Sequence, residues 1–337
     1  MLRTAVVGLG WWGRILVRTI AGSSKLRVVR AVEPNPATAQ EVAAGSGVPV
    51  TPRYEDALAD DSVDAVILAT PHSLHEAQAV AAAEAGKHTF VEKPLGLTLE
   101  SALNIVRACQ AARVVLAVGH ERRFEPPQVE LARLLAAGEL GTPLQVEANF
   151  SHDKFLALAA GNWRLSAAEA PSGGMTATGI HLLDLAIALL GAPTSVYASC
   201  ATLASALSNG DSLSLLVRFE SGATATINVM LATPFISRFA LYGSHGWVEI
   251  RDKAHVEAPQ GWWLTRSGAG GEPLHTDYPV ARPVLANLEA FADAIAGRSE
   301  YPISPRAMLL TIAALEATFR SSASGHVEPV ARLPSAL

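Results

Sequence analysis

Through the first 120 residues the apolar positions fall into short continuous runs, separated by longer stretches in which they recur every three or four places. Arg3 to Val7, Leu26 to Val32, Ala65 to Ala69, His88 to Val91 and Val114 to Val118 predict strands of the kind a parallel sheet covered on both faces buries. Between them lie helical patterns. One carries Arg14, Ile15, Leu16, Val17 and Ile20; another is the Ala-rich segment from Leu74 to Ala85, closed by Gly86; a third is capped by Thr98, with Glu100 near its start. This alternation predicts an α/β domain over residues 1–121, a doubly wound parallel sheet whose loops at the strand carboxyl ends line one crevice.

Past Phe124 the texture changes. Val129 to Ala136 reads as a helix and Gly138 to Pro143 as a turn. Strand patterns then follow at Leu144 to Asn149, Ser195 to Thr202, Ser212 to Phe219, Ala223 to Met230, Ser237 to Tyr242 and Gly246 to Ile250. Glu220-Ser221-Gly222 and Gly243-Ser244-His245 read as hairpin connections. The second domain, residues 122–337, is therefore expected to be α+β, an open and mostly antiparallel sheet with helices on one face. Its other face is available to a second copy of the chain. Val284 to Gly297 and Pro305 to Phe319 are amphipathic helices, the latter, at about residues 305–320, placed to return toward the first domain. Val256 to Pro273, with Trp262-Trp263, is either a hairpin or a substrate-facing loop.

Composition narrows the partners. With half of 337 residues hydrophobic and 17% charged, there is material for two packed cores. A net charge of -5 argues against nucleic acid or an anionic membrane, which select basic surfaces. Cys109 and Cys200 stand far apart in a helix and a strand, so they read as free thiols of a reducing compartment, with no metal motif. The N-terminus runs straight into a strand pattern, and no apolar stretch approaches the ~20 residues of a bilayer span, so a soluble cytoplasmic protein is expected.

The first strand leads into Gly8-Leu9-Gly10-Trp11-Trp12-Gly13, a complete G-x-G-x-x-G with a strand before it and a helix after it. Gly8 permits a tight turn, Gly10 lets backbone approach a pyrophosphate, and Gly13 lets helix pack on strand. The second strand ends in Glu33. An acid there accepts bonds from ribose hydroxyls and repels a 2′-phosphate, and Pro34 and Asn35 offer no cation, so NAD is favoured over NADP. Glu92-Lys93-Pro94 closes the strand at Val91 and places Lys93 where the reacting end of a bound dinucleotide would meet substrate.

Val7 to Gly13, Thr70-Pro71 with His75, Ala85-Gly86-Lys87-His88 running into Glu92-Lys93-Pro94, and Gly119 followed by Arg122-Arg123-Phe124 together resemble the glucose-fructose oxidoreductase, inositol dehydrogenase and rhizopine-catabolism family. The closing Arg320-Ser321-Ser322-Ala323, with Gly325 and Val327, looks like the family's ending, so the resemblance spans nearly the whole chain. It implies a dehydrogenase with a Rossmann domain followed by an open-sheet domain, assembled as dimers or tetramers through that sheet. It also implies a histidine that faces substrate from a helix after a glycine-rich lead-in. His181, after Ser172-Gly173-Gly174, matches that position, and Asp184 matches the acid that follows.

Two departures stand out. The family pattern places an Asp four residues before the histidine, and here that position is Ala177, between Thr176 and Thr178. Either His181 works without that carboxylate, or Thr176, Thr178, His152 or Asp153 takes part of its place. Glu121 stands where the family often has Asn. On these readings the cofactor contacts are Gly8, Leu9, Gly10, Trp11, Trp12, Gly13, Glu33, Thr70, Pro71, His72, His75, Glu92, Lys93 and Glu121. Lys93, His120, Arg122, His152, Trp163, Arg164, Thr178, His181 and Asp184 are expected to meet a small-molecule substrate.

Hydride transfer asks for a group to manage the proton on the reacting oxygen. His181, titrating nearest neutrality, suits that shuttle, and Lys93 suits polarising the same oxygen. The expected activity is an NAD-dependent dehydrogenase of a cyclic polyol, sugar or sugar-like compound. A dihydrodiol-type dehydrogenase, an NAD-using glycosidase and a non-catalytic dinucleotide sensor remain as alternatives on the same fold.

Overall fold

The structure, a computed structural model, describes residues 1–256, 258–268 and 270–334. By contact the chain divides into two compact units. The first takes Met1–Glu121 and Pro283–Ile312, the second Arg122–Arg282 and the described residues from Ala313 on.

In the first unit β1 (Leu2–Val7), α1 (Trp11–Ile20), β2 (Leu26–Val32), α2 (Pro36–Ser46), β3 (Val50–Thr51), α3 (Tyr54–Leu58), β4 (Ala65–Leu68), α4 (His75–Glu84), β5 (His88–Val91), α5 (Leu99–Ala112) and β6 (Leu116–Val118) follow one another. The six strands form one sheet in the order β3-β2-β1-β4-β5-β6, every pair parallel. The order reverses between β1 and β4, where doubly wound sheets open a crevice at their carboxyl ends. All four residues of β4 are buried, as a strand covered on both faces requires. Local signals set the helix ends. Asn35 accepts from the N–H groups of Ala37 and Thr38 to start α2, and Thr98 accepts from Ser101 to start α5.

The second unit contains α6 (Pro126–Ala136), β7 (Pro143–Ser151), α7 (Gly179–Leu190), β8 (Pro193–Ala201), β9 (Ser212–Phe219), β10 (Thr224–Met230), β11 (Ile236–Gly243), β12 (Gly246–Asp252), β13 (Trp262–Gly268) and β14 (Leu274–Tyr278). Two helices follow, α8 (Pro283–Ile295) and α9 (Pro305–Ser324), and then β15 (Glu328–Pro329). The nine strands lie in the order β14-β13-β12-β11-β7-β10-β9-β8-β15. All neighbours are antiparallel except β7 and β10, which run parallel. The stretch from Val256 to Pro273, left open between hairpin and loop, supplies β13, which pairs with both β12 and β14; Glu257 and Ala269 within it lie outside the described residues. Alternate residues of β9 and β10 are buried, and α7 packs over β7 and β10.

One segment sits apart from its order in sequence. α8, assigned with residues 122–337, clusters with the first unit instead. Leu288, Phe291 and Ala292 on its apolar face join Leu16, Val17, Ile20 and Phe90 in that core, and the rings of Phe90 and Phe291 meet edge-on at 5.8 Å. Lys25 to Asp293, at 2.7 Å, ties the same helix at its rim. Among the described residues no helix is long and apolar enough to cross a membrane.

Candidate active-site residues

In the first unit the glycine turn is built as its chemistry demands. Gly8 has φ +86, and a Cβ there would lie 2.9 Å from the Ala69 carbonyl oxygen. A Cβ on Gly13 would collide with the carbonyl of Gly8, so α1 packs against β1 only without one. Gly10, the N-cap of α1, has nothing within 4 Å of where its Cβ would stand, and no side chain caps the helix. A helix N-terminus of this kind is the place where a Rossmann turn receives a pyrophosphate. Leu9 is buried and contributes its backbone, its N–H donating to Glu33 Oε2 at 2.8 Å, while Asn35 N–H donates to Oε1 at 3.0 Å. Glu33 thus holds the turn from the end of β2. Trp11 is exposed, and its ring lies 5.3 Å from that of Trp12.

The loops after β4 and β5 hold the next group. Thr70 donates its hydroxyl to Gln78 Oε1 at 2.6 Å, Pro71 precedes a short turn from His72 to Leu74, and the Lys93–Pro94 peptide is cis. His72 and His75 are buried and meet edge-on at 5.8 Å. His75 Nδ1 lies 2.8 Å from the Pro94 carbonyl oxygen and Nε2 3.1 Å from that of Thr70. Both ring nitrogens are spent on the protein, which leaves none for the cofactor contact expected of His75.

Glu92 is buried and lies over Gly119, where any side chain would strike its carboxyl group. Burial first, and then the Glu121 carboxylate, push its pKa up to about 8; Trp12 and Lys93 oppose by less. Trp12 Nε1 points at that carboxyl without reaching hydrogen-bond geometry. His120 and Glu121, after β6, are buried too.

In the second unit the glycine-rich lead-in to α7 is set by close approach. A Cβ on Gly173 would meet the Gly210 carbonyl at 2.9 Å, and one on Gly174 would overlap Val229 of β10. Ser172, with φ +58, turns the chain into that gap. His181 and Asp184 are buried one helical turn apart. Asp184 receives Arg123 through both oxygens, Nε at 2.6 Å and Nη2 at 2.7 Å, so its carboxylate is engaged by protein rather than open to substrate. Thr178 donates to the Phe150 carbonyl at 2.9 Å, which accounts for its hydroxyl. Ala177, half-buried, stands between.

Arg122, expected at substrate, is instead a buried hub. Its guanidinium reaches Glu125 at 3.0 Å, Ser237 at 3.2 Å and both oxygens of Asp252 at 2.8 Å, and lies 5.0 Å from the Phe150 ring centroid. Desolvated charge forces that outcome, because every donor must be matched. Arg164 lies over the Trp163 ring at 4.2 Å, a cation on an aromatic face. His152 is buried, accepts the Lys154 N–H at Nδ1, and meets the Phe155 ring at 5.2 Å.

Sequence reasoning missed His255. Its ring sits 5.3 Å from His152 and 5.6 Å from Phe235, and its Nδ1 is 2.9 Å from Lys154 Nζ. No periodicity or motif surrounds it in the chain, and only folding brings it to His152.

Residues 2–120 match an oxidoreductase family with an NAD-binding Rossmann fold, and residues 129–249 match the GFO/IDH/MocA C-terminal domain. The 1,5-anhydro-D-fructose reductase of Ensifer adhaerens is 29% identical over 333 residues, 95% of this chain and 90% of its own length. The scyllo-inositol 2-dehydrogenase (NAD(+)) of Bacillus subtilis is 31% identical over 267 residues, 75% of each chain. Aldose-aldose oxidoreductase from Caulobacter crescentus, solved with glycerol, has a TM-score of 0.86 to this fold at 26% identity, over 97% of this chain and 99% of that one. Matched in both halves, the chain belongs to the glucose-fructose oxidoreductase, inositol dehydrogenase and rhizopine-catabolism (Gfo/Idh/MocA) oxidoreductase family.

Proposed function

We propose that this protein is an NAD-dependent dehydrogenase acting on a secondary hydroxyl or carbonyl of a cyclic polyol, sugar or sugar-like compound. The observation that carries the reading is the glycine turn whose Gly10 opens onto space while Glu33 holds the Leu9 N–H. A carboxylate at that position accepts from ribose hydroxyls and repels a 2′-phosphate, which favours NAD over NADP. The substrate class follows relatives named for 1,5-anhydro-D-fructose and scyllo-inositol. When bound, the nicotinamide supplies the hydride donor or acceptor.

The chain's own residues divide the remaining work. Gly8 to Gly13 and the N-terminus of α1 bind the pyrophosphate, with Thr70, Pro71, His72, Glu92 and Glu121 around the rest of the cofactor. His181 moves the proton at the reacting oxygen, and Lys93 hydrogen-bonds and polarises that oxygen. His120, His152, Trp163 and Arg164 shape the substrate's surroundings. Arg123 with Asp184 steadies α7 beneath His181, and Arg122 fixes β11 and β12 through Ser237 and Asp252. The sheet of the second unit serves as the face for a homodimer or homotetramer.

NAD reduction measured over a panel of polyols, sugars and dihydrodiols tests the reading. Turnover on a cyclic polyol or sugar, lost in His181→Ala and in Lys93→Met while NAD binding persists, is expected. Near-normal kcat in both variants removes the residue assignments. A second reading, a dinucleotide sensor without turnover, draws on Ala177, four residues before His181, where the family pattern has an Asp. It predicts NAD binding with no activity anywhere in the panel.

A further inference from the structure

His75 opens α4 with its ring completely buried, and both of its ring nitrogens face backbone carbonyl oxygens, Pro94 O at 2.8 Å and Thr70 O at 3.1 Å. A carbonyl only accepts. A neutral imidazole has one N–H and one lone pair, so it satisfies one of these oxygens and turns a lone pair on the other. Rotating the ring by half a turn does not help, because carbon atoms would then face both carbonyls. At these separations no water fits between ring and oxygen. Only the doubly protonated ring donates to both.

We propose that His75 is an imidazolium in the folded protein and acts as a positioning residue. Its two bonds rivet the Lys93–Pro94 segment after β5 to Thr70 after β4. Burial and the positive end of α4 work against this charge. Two charge-assisted bonds, each roughly twice as strong as a neutral one, work for it.

The titratable groups around the ring come from each packed element. His72 in the preceding turn meets it edge-on at 5.8 Å, Glu76 follows it and is held by Asn104 of α5, and Glu92 and Lys93 lead into Pro94. α5 further carries Glu100, Arg107 and Cys109, β5 carries His88, and β4, Ala-Val-Ile-Leu, carries none. The positioning role rests on the function proposed above for Lys93, whereas the charge on the ring does not.

The test begins with the intact, unliganded protein labelled with 15N-histidine. Long-range 1H–15N correlation between pH 6 and 9 reads the protonation of each assigned ring. At pH 8 the His75 ring is expected to carry protons on both nitrogens, a pH at which a free imidazole is neutral. A singly protonated His75 at pH 7 overturns the proposal without any variant or substrate. For the positioning role, His75→Gln, whose one amide nitrogen reaches only one carbonyl, is expected to lower kcat by about a hundredfold with KM and the NAD dissociation constant nearly unchanged. An unchanged kcat overturns that role. If no polyol or sugar is turned over by the parent protein, the proposed function fails while the ring's protonation still stands or falls on the spectrum.

Discussion

Arg123 holds Asp184 by both carboxylate oxygens, at 2.6 and 2.7 Å, one helical turn beyond His181. The side chain of Asp184 is 1% exposed and that of Arg123 16%, so deleting the acid removes a bidentate partner from a largely desolvated cation. Asp184→Ala is expected to destabilise the protein by about 3–5 kcal/mol in urea unfolding, and Asp184→Asn by less, because the amide oxygen still accepts one donor. A loss under about 1 kcal/mol for the alanine variant would show that the pair behaves as an exposed one.

The collision of a Gly13 side chain with the Gly8 carbonyl makes a single methyl group a probe of the cofactor turn. Gly13→Ala has to push α1 away from β1, which disturbs backbone on both sides of the phosphate cradle. Titration of intrinsic fluorescence with NAD should show binding weakened at least tenfold, with a thermodynamic cost of about 1–3 kcal/mol in the same variant without cofactor. Gly10→Ala, which meets nothing within 4 Å, should fold with normal stability and lose NAD affinity alone.

Glu33 serves two purposes, holding the Leu9 N–H and presenting a negative charge. Glu33→Gln keeps an oxygen for Leu9 and removes the charge. The ratio of NADP to NAD dissociation constants should fall by about tenfold, chiefly through tighter NADP, since one lost repulsion of about 1.4 kcal/mol has that size. An unchanged ratio would mean that 2′-phosphate exclusion lies elsewhere.

Glu92 titrates upward because burial and then Glu121 disfavour its charge. The folded protein keeps a proton near pH 8 that the unfolded chain releases near pH 4.5. Stability from this group is therefore complete below the unfolded value and is lost as pH rises through the folded one. The melting temperature of the unliganded protein should decline between pH 5 and pH 8, and Glu92→Gln should flatten that decline. A wild-type profile parallel to the variant's would mean that Glu92 is ionised throughout.

How much could be read in the chain depended on whether the signal was local. The turn from Gly8 to Gly13, the cap at Thr98 and the helix that begins at Gly179 are short-range patterns, and each stands where its residues place it. β3 is two residues long and α3 five, too brief for a hydrophobic period to announce. The parallel pairing of β7 with β10 and the docking of α8 on α1 depend on contacts made far along the chain, to which local pattern is blind. The site divides in the same way. His181 is legible from its glycine lead-in, whereas the engagement of Arg122 with Asp252, 130 residues away, and the arrival of His255 beside His152 are properties of the fold alone.

β7 also bears on how the second unit comes into being. It is the first strand of that unit to leave the ribosome, yet both of its neighbours, β10 and β11, lie about 80 to 100 residues further along the chain. Until they are made, its two edges are bare. A nascent or truncated chain ending before Thr224 would expose a strand at the heart of the future sheet. Aggregation of this protein during expression should therefore be governed by that interval, and relieved by a chaperone that shields an extended segment.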